Sequence, residues 1–528
     1  MDSGETKISL KDAEDEEKEQ FKLLHKYEAE VPKTFEEAIS ETGFGRFNYT
    51  LLVVILFPCA TQMVETVGMT YIVPVAECDL HLTIEDKGLL NGVTFAGMIS
   101  SGLFWGYLCD ALGRKKIIVY GYLVTGFFSV MAAMSTSKGM LMGAKFMSGL
   151  ILNGPYSATT THITEFHSSK YRGTVHMIRG IFFSVINLFL PVLAWAILPR
   201  KINITIFGFE FHAWNVFMLI CASMTIISGI LYMFLPESPK YLMSMGRNRA
   251  ALVVMRKVYS KNTGNPQEDF PVKKLVNEAK QNFTSSRVEM ATALKSGWEE
   301  MKTILHRPHI NNMILASFNA FSVVMSLNTL KFWLPGIFQS ISDYQNNHNG
   351  TSSSMCVMLG EMSKPKNITS SQECSVDLDN FSVYLRTFIV ASARVGVFVV
   401  AGTLVRLVGV KRLCIILTFI SATCMFCIYF ARSSLAVTIL SAAGTAVGSV
   451  PENLLLTITL ELFPTTLRTI ALSIHLTAQR FGTTLGNVIF PYLVQMGCLP
   501  PFLFIGIFAS ATGLLSMLYA NTENKPLI

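Results

Sequence analysis

The chain has 528 residues, of which 51% are hydrophobic and only 15% charged, with a net charge of +7 and a mean hydropathy of +0.42. That balance is too apolar for a water-soluble globular protein of this length and describes a polytopic membrane protein. The basic excess therefore reports loop orientation in a bilayer and does not point to nucleic acid. The chain has no P-loop, no GxGxxG after a strand and no HExxH, which argues against an enzyme; with no ATP-binding domain, gradients or exchange must supply any driving force. None of the ten cysteines forms a CxxC or a Cys/His array, so no metal or other cofactor is expected.

In chain order, residues 1–46 form a polar arm. It begins MDSGETKISLKDAEDEEKEQ, acidic and without the apolar h-region of a signal peptide, and ends in TFEEAISETGFGRFNY, a candidate short interfacial helix. Apolar runs long enough to cross about 30 Å of hydrocarbon then fall at 47–75, 88–111, 117–135, 139–165, 175–198, 214–235, 311–337, 381–408, 413–431, 434–460, 470–495 and 501–520. The expected fold is all-α: a six-helix half at 47–235, a central loop at 236–310, a second six-helix half at 311–520 and a tail at 521–528.

The central loop contains thirteen Lys/Arg, whereas the loop at 338–380 has only Lys364 and Lys366. The short loops GRKK (113–116), KYR (170–172) and VKR (410–412) fall on the side of the central loop, so the positive-inside rule puts that side and both termini in the cytoplasm. Loop 338–380 carries glycosylation sequons at Asn349 and Asn367, and a third sequon, Asn203, lies on the same side. Cys356 and Cys374 in that loop are expected to form a disulfide on a lumenal or extracellular face.

The two halves repeat. Gly113 with Gly409, Pro155 with Pro451, Glu165 with Glu461 and Arg172 with Arg468 are each 296 residues apart (for example 409 − 113). Parallel six-helix halves are an arrangement in which substrate binds near the midplane between halves that rock against each other.

GYLCDALGRKK (106–116) resembles the signature of the major facilitator superfamily, and PESPK (236–240) resembles the PESPR motif of its sugar and organic-ion transporters. FEEAISETGFGRFNYTLL, AWAILP (194–199) and FHAWNVFMLIC (211–221) are similar to segments of the synaptic vesicle glycoprotein 2 group. The resemblance implies a major facilitator fold and a cytoplasmic gate of Asp110, Gly113, Arg114, Glu165 and Arg172, with Glu461 and Arg468 as its second-half copy. Three departures stand out. Arg406 holds the place of Asp110 in the second half, and the large lumenal domain of the vesicle glycoproteins shrinks here to loop 338–380. In the first helix, Gln62 stands where relatives have an aspartate.

Charges inside the helices are the candidate site. A charge at the bilayer centre costs about 2.5–3.5 kcal/mol on translocon scales, yet Glu65 interrupts an otherwise uncharged run. Gln62 lies one turn earlier on its face. Arg394 and Arg480 sit in the middle of the eighth and eleventh runs, too deep to snorkel. One reading has an arginine bridge Glu65 between the halves; the other has two cations and one anion line a wet cavity that awaits an organic anion. Glu452, after Pro451, and Phe183 are added as weaker lining candidates. Lys331 and Arg179 are expected to snorkel.

The expected function is secondary transport of a small organic ion, an anion foremost, by rocker-switch alternating access. The expected partners are that ion, a coupling ion (a proton or an exchanged anion) and the bilayer, with the protein a monomer in a plasma or vesicle membrane. The alternatives are an organic cation or neutral-solute carrier that uses Glu65, and a non-transporting vesicle component.

Overall fold

The computed structural model describes residues 32–200, 202–206, 209–277, 306–307, 309–363, 381–463 and 467–519. Asn367, Cys374 and the sequence beyond residue 519 lie outside them, as do the side chains of Asp110 and Arg406.

Among the described residues, twelve helices reach 18 residues or more, one in each apolar run read from the sequence. The first half holds α2 (Arg46–Val67) continued by α3 (Met69–Val75), α4 (Ile84–Leu112), α5 (Arg114–Ala133), α6 (Lys138–Glu165), α7 (Ser169–Ile197) and α8 (Ala213–Met233). The second holds α11 (His309–Asn347), α13 (Phe381–Val408), α14 (Val410–Cys427), α15 (Ser434–Leu462), α16 (Arg468–Gln495) and α17 (Leu499–Met517). Over their described residues, nine of the twelve are long and apolar enough to cross a membrane; α6 and α16 are more polar. Polarity on these two fits their place: α6 packs on both α4 and α5, and α16 packs along α4, a pair that joins the halves together with α11 against α3 and α13 against α7. Helices facing protein on most sides need less lipid-soluble surface.

Small residues set the closest approaches. A Cβ on Gly149 of α6 would stand 2.1 Å from the Thr94 carbonyl of α4, so only glycine lets these backbones meet.

The internal repeat extends to backbone angles. Gly113 and Gly409 begin α5 and α14 at φ 97°, ψ 150° and φ 88°, ψ 155°, a region that favours glycine. Ser137 and Ser433, again 296 residues apart (433 − 137), cap α6 and α15 at the same φ −143°, ψ 151° and each accepts a bond from the backbone three residues on. Arg172 and Arg468 each donate from Nε to the carbonyl five residues back, His167 at 3.0 Å and Phe463 at 3.1 Å.

Shorter elements outside the membrane runs complete the fold. The interfacial candidate forms α1 (Phe35–Glu41), closed by a capping box between Thr34 and Glu37. It does not lie alone: Phe35, Ala38 and Ile39 pack on Leu242 and Met243 of α9 (Pro239–Ser244), on Ala251 and Met255 of α10 (Asn248–Thr263), and on Phe270 and Leu275. Arm and central loop thus make one small domain, fastened to α2 by Asn262, whose amide reaches Thr42, Gly43, Phe47 and Asn48. A hairpin, β1 (Asn203–Ile206) with β2 (Phe209–His212), joins α7 to α8 and presents Asn203 exposed. Helix α11 runs ten residues past its expected end, because nothing from 338 to 347 breaks a helix.

The expected Cys356–Cys374 disulfide is corrected. Cys356, at the start of α12 (Met355–Ser363), pairs with Cys498 at the start of α17, with Cα atoms 5.1 Å apart, and ties the loop helix to the second half. The geometry suits a disulfide, and sequence proximity gave the wrong partner.

Candidate functional site

Glu65 sits on α2 just before Gly68, where α2 gives way to α3. It is 2% exposed, but its partners all belong to the first half. Lys145 of α6 donates to Glu65 Oε2 at 2.6 Å and to its backbone carbonyl at 3.2 Å. Ser129 of α5 and Thr225 of α8 donate to Oε1, and Ser148 of α6 to Oε2. A buried carboxylate is tolerable only when paired and hydrogen-bonded, and here four neighbouring side chains do both. The placement of Glu65 in a shared cavity opposite Arg394 and Arg480 is therefore corrected: neither arginine bridges to it. Lys145, in the apolar run MGAKFMSG, was missed, although the rule that singled out Glu65 applies equally to it.

The cleft between the halves is elsewhere. An open cleft there is bounded by Thr70 and Tyr71 of α3, Asn187 of α7, Lys331 of α11, and Thr387 and Arg394 of α13. Lys331 was expected to snorkel outward; instead it lines this cleft, with its ammonium 5.6 Å from the Phe332 ring centre. Arg394 Nη2 lies 3.6 Å from Oε2 of Glu452 on α15 and over the Phe398 ring. Three lining residues, Thr70, Asn187 and Lys331, each precede a helix proline by four positions, at Pro74, Pro191 and Pro335. A proline has no N–H, so the carbonyls of these three residues lose their usual helical donor. The wall thus combines two cations, one nearby carboxylate and backbone acceptors.

Other expected residues lie apart from that wall. A Cβ on Gly102 of α4 would come 4.0 Å from Arg480 Nη1 and 3.7 Å from Asn153 Nδ2, so Arg480 reaches from α16 to the first half. No carboxylate pairs with it among the described residues. Phe183 packs on the Arg179 guanidinium, which itself donates to Thr160 and, at 3.2 Å, to the Tyr156 hydroxyl. Arg179 therefore faces into the bundle, contrary to the snorkelling expectation. The Gln62 side-chain oxygen is buried without a hydrogen-bond partner.

At the face carrying the basic short loops, Arg114 Nη2 lies 3.2 Å from Glu165 Oε1 and over the Tyr241 ring. Glu237 of the PESPK segment accepts from the backbone N–H of Lys115 and of Ser238, both at 3.0 Å. Arg172 turns to Glu36 of α1 at 2.6 Å, so it links the small domain to α7. In the second half, Arg468 is held by the Phe463 carbonyl and Glu461 is exposed.

Two duplicated helical halves with a charged cleft between them are the architecture of membrane proteins whose halves rock about a central site. The profile of the Major Facilitator Superfamily matches residues 50–363, and the chain belongs to that superfamily. Synaptic vesicle glycoprotein 2B of Rattus norvegicus is 26% identical over 375 residues, covering 68% of this chain and 52% of the relative. The chain thus spans about half the length of that protein. Against the human form of glycoprotein 2B the identity is 23%, over 100% of this chain and 90% of the relative. A solved structure described as a partially occluded inward-open conformation of the xylose transporter XylE from E. coli superposes with a TM-score of 0.62 at 14% identity, covering 90% of this chain and 100% of that one. At that identity the likeness shows the fold alone.

Proposed function

We propose that this transporter moves a small organic anion through the cleft between its halves by rocker-switch alternating access. One observation carries the reading: Lys331 and Arg394 line the same cleft, and among the described residues only Glu452 stands beside them as a carboxylate. Desolvated cations in excess attract an anion, and a charge-assisted hydrogen bond from each would hold it. Arg480, which pairs with no carboxylate among the described residues, adds positive charge on the first-half side. Because Glu65 is neutralised by Lys145, it offers no countercharge to an organic cation. This weakens the cation reading.

In this account Arg114, Glu165 and Glu237 close the cytoplasmic side in one conformation, Arg172 and Arg468 brace the helix starts, and Asp110, Gly113 and Glu461 belong to the same gate. The central loop, the small domain and both termini are cytoplasmic. Asn203 and Asn349 are exposed on the opposite face, where they and Asn367 would carry glycans. By likeness to the vesicle glycoproteins, a vesicle membrane is the proposed location, and transport runs on an ion gradient or exchange.

Uptake by proteoliposomes across a panel of organic anions and cations, with and without a pH gradient, tests the reading. Anion uptake that falls to background in Arg394→Ala supports it; uptake of cations alone refutes it.

A further inference from the structure

A second cleft, on the neighbouring face of α11, is bounded by Thr70, Glu77, Asn91, Trp333, Gln339 and Asp343. Three of these residues each carry a buried polar atom with no hydrogen-bond partner: Thr70 Oγ1, Asn91 Oδ1 and Trp333 Nε1. Their residues are 4%, 5% and 2% exposed. An unmet buried polar group is costly and uncommon, and each instance asks for a reason. The residues that carry these three atoms, on α3, α4 and α11, border one cleft. The set comprises an indole N–H that can only donate, an amide oxygen that can only accept, and a hydroxyl that does either. A hydroxylated chain, each of whose O–H groups both donates and accepts, complements all three.

Thr70 also lines the central cleft. On α11 the residues alternate by helical position: Lys331, Leu334 and Pro335 face the central cleft, and Phe332, Gly336, Gln339 and Asp343 the second one. Thr70 is therefore the residue that the two clefts share. The second cleft differs in charge, since Glu77, held by Lys87 at 2.8 Å, together with Asp343 and Glu361 lines it. Carboxylates accept hydrogen bonds from hydroxyls but repel a second carboxylate on the ligand.

We propose that the substrate is a polyhydroxylated organic monocarboxylate. Its carboxylate meets Arg394 and Lys331 in the central cleft, and its hydroxyls extend past Thr70 to Asn91 and Trp333. The proposal rests on the anion reading above and narrows it.

The test is calorimetric binding and thermal melting of the purified full-length protein with gluconate, hexanoate, adipate and the neutral polyol glucitol. Gluconate is expected to bind at least about tenfold tighter than hexanoate or adipate, because a site built for hydroxyls rejects ligands that leave its polar groups unmet. Thr70→Val and Trp333→Phe should each weaken gluconate about tenfold and leave hexanoate unchanged. Both should also raise the melting temperature of the unliganded protein, since each removes an unmet buried polar atom; a purely structural role would lower it. Arg394→Ala should weaken gluconate and hexanoate alike. Equal affinity for gluconate and hexanoate, no gluconate binding, or unchanged gluconate affinity in both cleft variants overturns the proposal while leaving the anion reading standing. Equal binding of gluconate and glucitol, indifferent to Arg394→Ala, overturns the proposal by overturning the anion reading itself.

Discussion

The two halves handle buried charge in opposite ways. In the first half, Glu65 and Lys145 lie 2.6 Å apart, 2% and 4% exposed at the side chain, with Ser129, Ser148 and Thr225 completing the carboxylate's bonds. In the second, Lys331 and Arg394 line open space, and the nearest carboxylate is 3.6 Å from one of them. A closed pair stabilises a bundle, whereas an unbalanced one needs something from outside the chain. Intramembrane charge therefore points to a binding site only where local partners leave it unmet.

The largest expected effect is on the closed cluster. Glu65→Gln leaves Lys145 charged and buried, which should cost about 3–5 kcal/mol and show as a large drop in melting temperature and yield in detergent. Adding Lys145→Met should restore most of the loss; a single Glu65→Gln variant that melts like the parent breaks the contrast. Next, Lys331→Met in the open cluster should reduce anion uptake about tenfold or more with little change in melting, since a hydrogen bond to a charged group contributes about 1.5–3 kcal/mol. If melting falls as far as in Glu65→Gln, both clusters are structural. Smaller still, Asn262→Ala releases the small domain from α2 and should cost about 1–2 kcal/mol, read as faster limited proteolysis of the central loop.

The smallest effect concerns pH. Burial lowers the His167 pKa below the ordinary histidine range, opposed by its bond with the Ile163 carbonyl and assisted by the Arg172 charge. A group with a lowered folded pKa contributes stability fully above its unfolded value, near 6.5, and loses it as pH falls through the folded value. Melting temperature should therefore decline on acidification below about 6.5, with a shallower slope in His167→Gln.

Much of the fold was legible in the sequence because a bilayer imposes one rule, long apolar runs, and because the duplication leaves the same residues 296 positions apart. The helix α11 overran its expected end because membrane hydropathy says where hydrocarbon stops, not where a helix does. The hairpin at 203–212 lies in plain alternation, NITI and FEFH, but two strands of four residues each are too short to stand out between apolar helical runs. The site was less legible. Glu65 stood out, yet which partner meets a buried charge depends on how α2, α5, α6 and α8 come together, and Lys145 was overlooked inside a run already assigned. Lys331 was judged by its distance from a helix end, a one-dimensional measure that says nothing of which face meets the cleft. Cys356 was matched to the nearer cysteine in sequence, although Cys498 is brought to it by the packing of α12 on the second half.

The most direct test is uptake into proteoliposomes of carboxylate and amine pairs built on the same carbon skeletons, comparing the parent protein with Arg394→Ala and with the Glu65→Gln/Lys145→Met double variant. The account predicts uptake of a carboxylate that Arg394→Ala reduces to background and the double variant retains. Uptake of the amine partner, or carboxylate uptake that survives Arg394→Ala but is lost in a folded double variant, would contradict it.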